Sequence, residues 1–323
     1  MKNKSNEEDE KMIEKKISLV ATTFNNENEI MSFLDNIFEQ TLLPNEIVIS
    51  DGGSKDRTVD YIKNYQQNTG VKINIRTGKR LNIAEGFNDA IKNSSGDIIF
   101  IAGVGNLYPN FFVEKLYMNM TESKADVVCP YIVAQKNNNF TECYNKVFCR
   151  NGNGQVGENA ANHGCLVKRE IFQKYGYFYE KFIYAGEDAE FYKYIQSQGA
   201  KIISIPEVKV YWDVPANWKQ FKKQVRVYAI AHEQFLTVPQ MLKENKISIV
   251  KALIVLLGIL ILPFSKLRIV GIVTLLLFML KCLKSIKENR MTGFLMIMMS
   301  RYGKFYYYIV NAKYWKRQYK VKR

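Results

Sequence analysis

Four short runs of branched and aliphatic residues recur through the first hundred positions. They are ISLVATTF (17–24), EIVIS (46–50), VKINIRT (71–77) and DIIFIAG (97–103). The segments between them carry helical spacing: Ile30, Phe33, Leu34, Ile37 and Phe38 fall on one face of 25–41. Residues 54–68, with Ser54 or Asp56 as cap, and 82–94 read as two more helices. Strand and helix alternate across short connections. That order restricts the chain to an α/β fold, a mostly parallel sheet with helices on both faces. Ligands of such sheets sit beyond the strand C-termini. Thr22–Asn25, Asp51–Ser54 and Ala102–Asn106 are therefore expected around one crevice.

Beyond residue 110 the spacing predicts helices over 111–120, 169–178, 187–199 and 217–237, and strands over 125–133 and 200–212. Residues 136–164 are polar and rich in Asn and Gly, and read as a long functional loop.

Charge divides the chain. Of 46 Lys+Arg and 31 Asp+Glu, residues 1–215 hold 25 and 28, and residues 216–323 hold 21 and 3. The basic part also contains two uncharged apolar runs, 252–264 and 269–280. Each is shorter than the roughly 20 residues of a bilayer span. Flanking lysines that snorkel extend both, so a membrane hairpin and a pair of buried core helices both fit. Lys243, Lys246 and Lys251 before the hairpin and Lys281, Lys284, Lys287 and Arg290 after it outweigh the Lys266/Arg268 turn. Both ends are then expected on the cytoplasmic side of the cell membrane. Residues 301–323 mix aromatic and basic side chains, which suits the lipid interface, with RNA as the competing ligand. Five cysteines without a C-x-x-C pair and only two histidines argue against a zinc cluster and for reduced, cytosolic thiols. Residues 1–16 are charged and do not read as a secretory signal. The expected divisions are a flexible 1–15, an α/β domain 16–215, a basic helical connection 216–246, a membrane hairpin 247–290 and an interfacial tail 291–323.

TTFN (22–25) puts hydroxyls and an amide at a strand end. EIVISDGGS (46–54) puts Asp51 at the next, with glycines that let a ligand approach. DGG is also a common turn. Together with RLNIAEGFNDAIKNSSGDIIFI (80–101) and NHGCLVKREIFQKYGYFYEKFIYAGEDAEF (162–191), these segments resemble family 2 glycosyltransferases of the GT-A fold, of the exopolysaccharide type.

The resemblance implies inverting transfer of a sugar from a nucleotide-sugar, a UDP-sugar first, to a glycan or lipid-linked acceptor in surface polysaccharide synthesis. It implies Asp188 as catalytic base, although Glu187, Asp188 and Glu190 equally suit a helix start. Thr22, Thr23, Asn25, Asp51, Gly53, Asn88, Gly103 and Gly105 carry over to the nucleotide-sugar. His163, Glu187, Trp212, Gln224 and Arg226 carry over to the acceptor side, with a structural role as the other reading of His163 and Trp212. Membrane lipids rather than nucleic acid are the expected macroscopic partner. The family's Asp-x-Asp, which holds a divalent cation (Mg or Mn), falls here on Ala102-Gly103-Val104 or Gly103-Val104-Gly105. No carboxylate is present, so no metal ligand is assigned. Lys79, Arg80, Arg226 and the backbone of Gly103–Gly105 are the candidates to hold a diphosphate. The loss also admits a second reading, a non-catalytic relative that binds or scaffolds within a glycan assembly complex.

Overall fold

The computed structural model describes residues 15–66, 70–135, 137–149, 161–182, 185–235, 246, 250–251, 253–265 and 267–303. Seven strands form one sheet: β1 (Ile17–Thr23), β2 (Glu46–Asp51), β3 (Lys72–Arg76), β4 (Ile98–Ile101), β5 (Val127–Ala134), β6 (Cys165–Lys168) and β7 (Ile202–Trp212). Their order is β3-β2-β1-β4-β6-β5-β7. The first four are parallel, with Leu19 opposite Ile47 and Phe100. Strand β6 runs antiparallel to both of its neighbours, so the sheet is mixed rather than wholly parallel.

Alternation along the strands feeds two cores. Ile17, Leu19, Ala21, Ile47, Ile49 and Phe100 face α1 (Ile30–Phe38), α2 (Thr58–Gln66) and α4 (Phe112–Ser123). Val20, Val48, Ile99, Ile101 and Cys129 face α3 (Ile83–Lys92), α6 (Arg169–Tyr175) and α7 (Glu187–Ser197). The two-residue period of a strand covered on both faces is thus met by helices on both sides.

Several boundaries move from the sequence expectation. Helix α2 starts at Thr58, not 54, because Asp56 takes the Thr58 N–H and hydroxyl, while Ser54 Oγ accepts from Asn25 N. The polar segment 136–164 is not one loop. It contains α5 (Asn139–Phe148), started by an Asn138 capping box with Thr141. Its buried Thr141, Cys143, Tyr144 and Val147 form the inner face. Cys143 and Tyr144 pack with Phe221 and Val225 of α8 (Trp218–Phe235) and with Met296.

The C-terminal region supplies one helix, not two, that is long and apolar enough to cross a membrane among the described residues: Arg268–Lys287, within α9 (Arg268–Met298). Almost none of that stretch is buried. Residues 253–260 are also helical, and they cross α9 at glycines. A methyl on Gly271 would stand 2.6 Å from the Gly258 carbonyl oxygen. Helix α9 breaks at Arg290, whose φ of 60° is left-handed. Past the break, Met296 is buried against the α5–α8 core. The 247–249 extension of the first run and most of the 301–323 tail lie outside the described residues.

Candidate active site

Strand order reverses at β1, which has β2 on one side and β4 on the other. The crevice expected at such a switch point is present. It is a cavity of about 680 Å³ lined by the ends of β1 and β4, the α3 N-terminus, the α7 N-terminus, the end of β7 and α8.

The floor comes from β1 and its neighbours. Thr22, Thr23 and Phe24 line the cavity. Helix α3 comes close to β1 because Gly86 has no side chain: a methyl there would lie 2.3 Å from Thr22 Oγ1. Of the eight expected ligands of the nucleotide-sugar, Asn25, Asp51, Gly53, Asn88 and Gly105 are not among the lining residues. Asn25, at a left-handed φ of 54°, turns its amide oxygen to Lys55 N, and Asn26 lines the cavity in its place. Asp51 is 3% exposed and accepts from Gly53 N (3.0 Å) and Ser54 N (3.0 Å), so it closes its own turn. Asn88 is a strut. Its Nδ2 donates to Phe178 O and Glu180 Oε1, and its Oδ1 accepts from Phe178 N, which occupies the amide on the 178–180 segment. Gly53 lies beneath the loop at Lys79 and Arg80, with the Lys79 carbonyl 3.5 Å from the position of a Cβ. Both of those basic residues are exposed.

The loop after β4 forms one side. Gly103 N donates to Tyr108 Oη (2.9 Å) and Asn106 N to Gly103 O (3.2 Å). Gly105 holds a φ of 89°, and Gln135 Nε2 donates to its carbonyl. Leu107 and Tyr211 exchange two backbone hydrogen bonds of 3.0 Å, which ties this loop to β7 and sets Trp212 beside it.

The opposite wall carries the titratable groups. Gly186, at φ 102°, opens α7, and Glu187 and Asp188 follow. Glu187 is buried. Loss of water and the neighbouring Asp188 charge push its carboxyl up to about 8. At neutral pH it therefore keeps its proton. Asp188 is half-buried and lines the cavity; Oδ2 accepts from Asn162 N (3.4 Å) and Oδ1 from Ala189 N (2.7 Å). Among the described residues it forms no ion pair. His163 packs on Trp212 with ring centroids 4.7 Å apart. Burial pulls its imidazole below the usual range, against the opposing charge of Asp188, and holds it neutral. Asn106 Nδ2 lies 3.4 Å from His163 Nδ1.

Helix α8 completes the wall with Val227 and Tyr228. Gln224 lies one turn back and bonds Tyr144 Oη (2.9 Å) and Tyr228 Oη (3.5 Å). Arg226 is exposed and outside the cavity lining. Residues four apart share a helix face and residues two apart do not. Gln224 therefore already pointed to Tyr228 rather than Arg226. Asn106, Asn162, Tyr228 and Asp213 also line the cavity and had not been singled out.

The loop that should hold a divalent cation does not fit one by its own side chains. Ala102, Gly103, Val104 and Gly105 carry no carboxylate, and no group of three or more His, Cys, Asp or Glu able to hold a metal occurs among the described residues. Glu29 approaches Gly105, and its charge adds to burial in raising the Asp213 carboxyl.

A mixed seven-stranded sheet with a crevice at its switch point, lined by paired acidic residues and a small-residue loop, is the arrangement that the resemblance to GT-A glycosyltransferases implies. Comparison bears this out. The profile of "Glycosyl transferase family group 2" matches residues 106–299 and that of "Glycosyl transferase family 2" matches 18–176. The chain belongs to the family 2 glycosyltransferases and is a glycosyltransferase. It is similar to a dolichyl N-acetyl-α-D-glucosaminyl phosphate 3-β-D-2,3-diacetamido-2,3-dideoxy-β-D-glucuronosyltransferase of Methanococcus voltae, 26% identical over 67% of this chain and 72% of that protein. Among solved structures it resembles a mannosyltransferase from Pyrobaculum calidifontis in complex with GDP-Man and Mn2+ (TM-score 0.55, 19% identity, 68% of this chain and 62% of that one). It also resembles S. aureus TarS 1-349 in complex with UDP (TM-score 0.50, 14% identity, 89% and 92%).

Proposed function

We propose that this chain is a membrane-associated inverting glycosyltransferase that moves a sugar from a nucleoside-diphosphate sugar, a UDP-sugar first, to a glycan or lipid-linked acceptor in surface polysaccharide synthesis. The observation that carries the reading is Asp188, which lines the cavity without an ion pair among the described residues and shares it with Gly103, Val104 and Asn106. An acceptor hydroxyl attacks the anomeric carbon, its proton passes to Asp188, and the bond from that carbon to the diphosphate oxygen breaks. The configuration inverts and a nucleoside diphosphate leaves. Neutral Glu187 behind Asp188 spares the pair a second negative charge.

The acceptor class is motivated by the printed name of the M. voltae relative, and the donor class by the ligands named with the two structures. Membrane attachment is motivated by the apolar, exposed 268–287 helix, with the catalytic domain on the cytoplasmic face from the lysines that flank it.

Charge on the leaving diphosphate must be offset. Gly103 N–H is spent on Tyr108, so Val104 and Gly105 N–H, with Lys79 and Arg80 from the loop beside Gly53, are the proposed donors. Activity should then survive a chelator better than in relatives that keep Asp-x-Asp.

The test uses the full chain in detergent, UDP-sugars and GDP-mannose as donors, and citronellyl-phospho-N-acetylglucosamine as acceptor. Transfer is expected with at least one donor, to fall about a thousandfold in Asp188→Asn and less than about fivefold in EDTA. Loss in EDTA with rescue by manganese would instead turn attention to Glu29 and Asp213. Calorimetry showing no nucleotide-sugar binding with or without manganese would favour the scaffold reading.

A further inference from the structure

One side chain in the cavity is held in place beside Glu187 with its donor short of a well-formed hydrogen bond. Asn162 is 8% exposed, yet it lines the cavity. Its Oδ1 accepts from Tyr192 Oη (3.1 Å), and its backbone N donates to Asp188 Oδ2 (3.4 Å). Its Nδ2 has no hydrogen-bond partner among the described residues. Buried amide donors are rarely left unmet in folded proteins, and the exceptions ask for an explanation.

Position supplies one. A methyl on Gly103 would stand 3.7 Å from the Asn162 carbonyl oxygen, so Asn162 lies between the loop after β4 and Asp188. That is where a donor sugar and an acceptor would meet. The Tyr192 bond fixes the amide plane before any ligand arrives. The amide also influences Glu187 without reaching it in hydrogen-bond geometry.

Charge limits the partner. Glu187 and Asp188 stand beside the amide, and a diphosphate there would meet acidic groups on the same wall. The fitting ligand atom is a neutral oxygen. We infer that Asn162 is an acceptor-positioning residue, its Nδ2 donating to a hydroxyl oxygen of the sugar acceptor as that acceptor comes to rest on Asp188. This rests on the reading of Asp188 as base. Two bonds, one to Asp188 and one from Asn162, would fix the approach of the acceptor where a single bond leaves it free to rotate.

The experiment separates acceptor from donor. Full-length Asn162→Leu keeps the approximate shape and removes the donor group; Asn162→Ser restores a smaller one. With citronellyl-phospho-N-acetylglucosamine as acceptor, Asn162→Leu is expected to raise the acceptor KM about tenfold. Donor KM is expected to change less than acceptor KM, because the bond is made to the acceptor. Asn162→Ser should recover part of the acceptor KM.

A rise in donor KM equal to that in acceptor KM would make Asn162 a structural strut and overturn the inference. So would an unchanged acceptor KM in a folded Asn162→Leu chain. If Asn162→Leu does not melt cooperatively, Asn162→Ser with unchanged melting decides, and an acceptor KM equal to the parent's overturns the inference. Asp188→Asn runs beside them. Full activity there sinks the base assignment itself, whereas loss there with an unchanged Asn162→Leu sinks only the role of Asn162.

Discussion

The floor and the wall of the cavity treat their polar groups in opposite ways. Under the floor, Asp51, Asn25 and Asn88, none of which lines the cavity, spend their side chains on backbone or neighbouring side chains of the protein. On the wall, Glu187 is buried with a proton, half-buried His163 is held neutral against Trp212, and Asn162 keeps an unmet donor. A satisfied polar group stiffens the fold, and an unsatisfied one stores interaction free energy for a ligand. The difference places rigidity where a nucleotide would lie and reactivity where an acceptor would enter.

Substitutions can break this contrast. The largest effect belongs to the wall: Asp188→Asn should remove transfer by about a thousandfold while leaving the melting temperature nearly unchanged. Loss of folding instead would place Asp188 with the floor. On the floor the order reverses. Asp51→Ala strips the acceptor from two backbone N–H groups and should cost about 2 kcal/mol of stability, read as a lower urea midpoint. If only donor KM moved, the carboxylate would be a ligand group after all. Gly86→Ala drives a methyl into Thr22 and should destabilise by about 1–3 kcal/mol, with donor KM rising because β1 is displaced. An unchanged melt would show that α3 shifts freely.

The last effect lies in pH. Glu187 has a carboxyl near 8 when folded, against an ordinary value of 4.5. Between those two pH values the native chain holds a proton that the unfolded chain has released. Stability contributed by this group is therefore present at low pH and declines as pH rises through 8. Glu187→Gln should flatten that slope in melts taken from pH 5 to 8.5. An equally steep slope in the variant would assign it elsewhere.

Much of the frame was legible because its signals are local. The strands β1, β2 and β4 are apolar runs of the right length, and Ile30, Phe33, Leu34 and Ile37 repeat at helical spacing and are all buried. Asp188 was legible only through its neighbours Gly186 and Glu187 and the family they resemble. Helix α5 was hidden because its inner face, with Cys143 and Tyr144, is weakly apolar and gains meaning only against α8 and Met296. The four-residue β6 has no period to show, and its reversed direction depends on partners on both sides. Asn162 follows a segment of mixed Asn and Gly without a repeat. It opens the 162–191 segment that carries the resemblance, beside His163, but its bonds run to Tyr192 and Asp188, both distant in sequence.

The paired bonds between Leu107 and Tyr211 have a mechanical meaning. The loop after β4 and the end of β7 are joined through them, and Trp212 carries His163 against its ring. The loop and the aromatic pair are therefore one coupled piece, and a substitution that shifts the loop is felt at Trp212 as well.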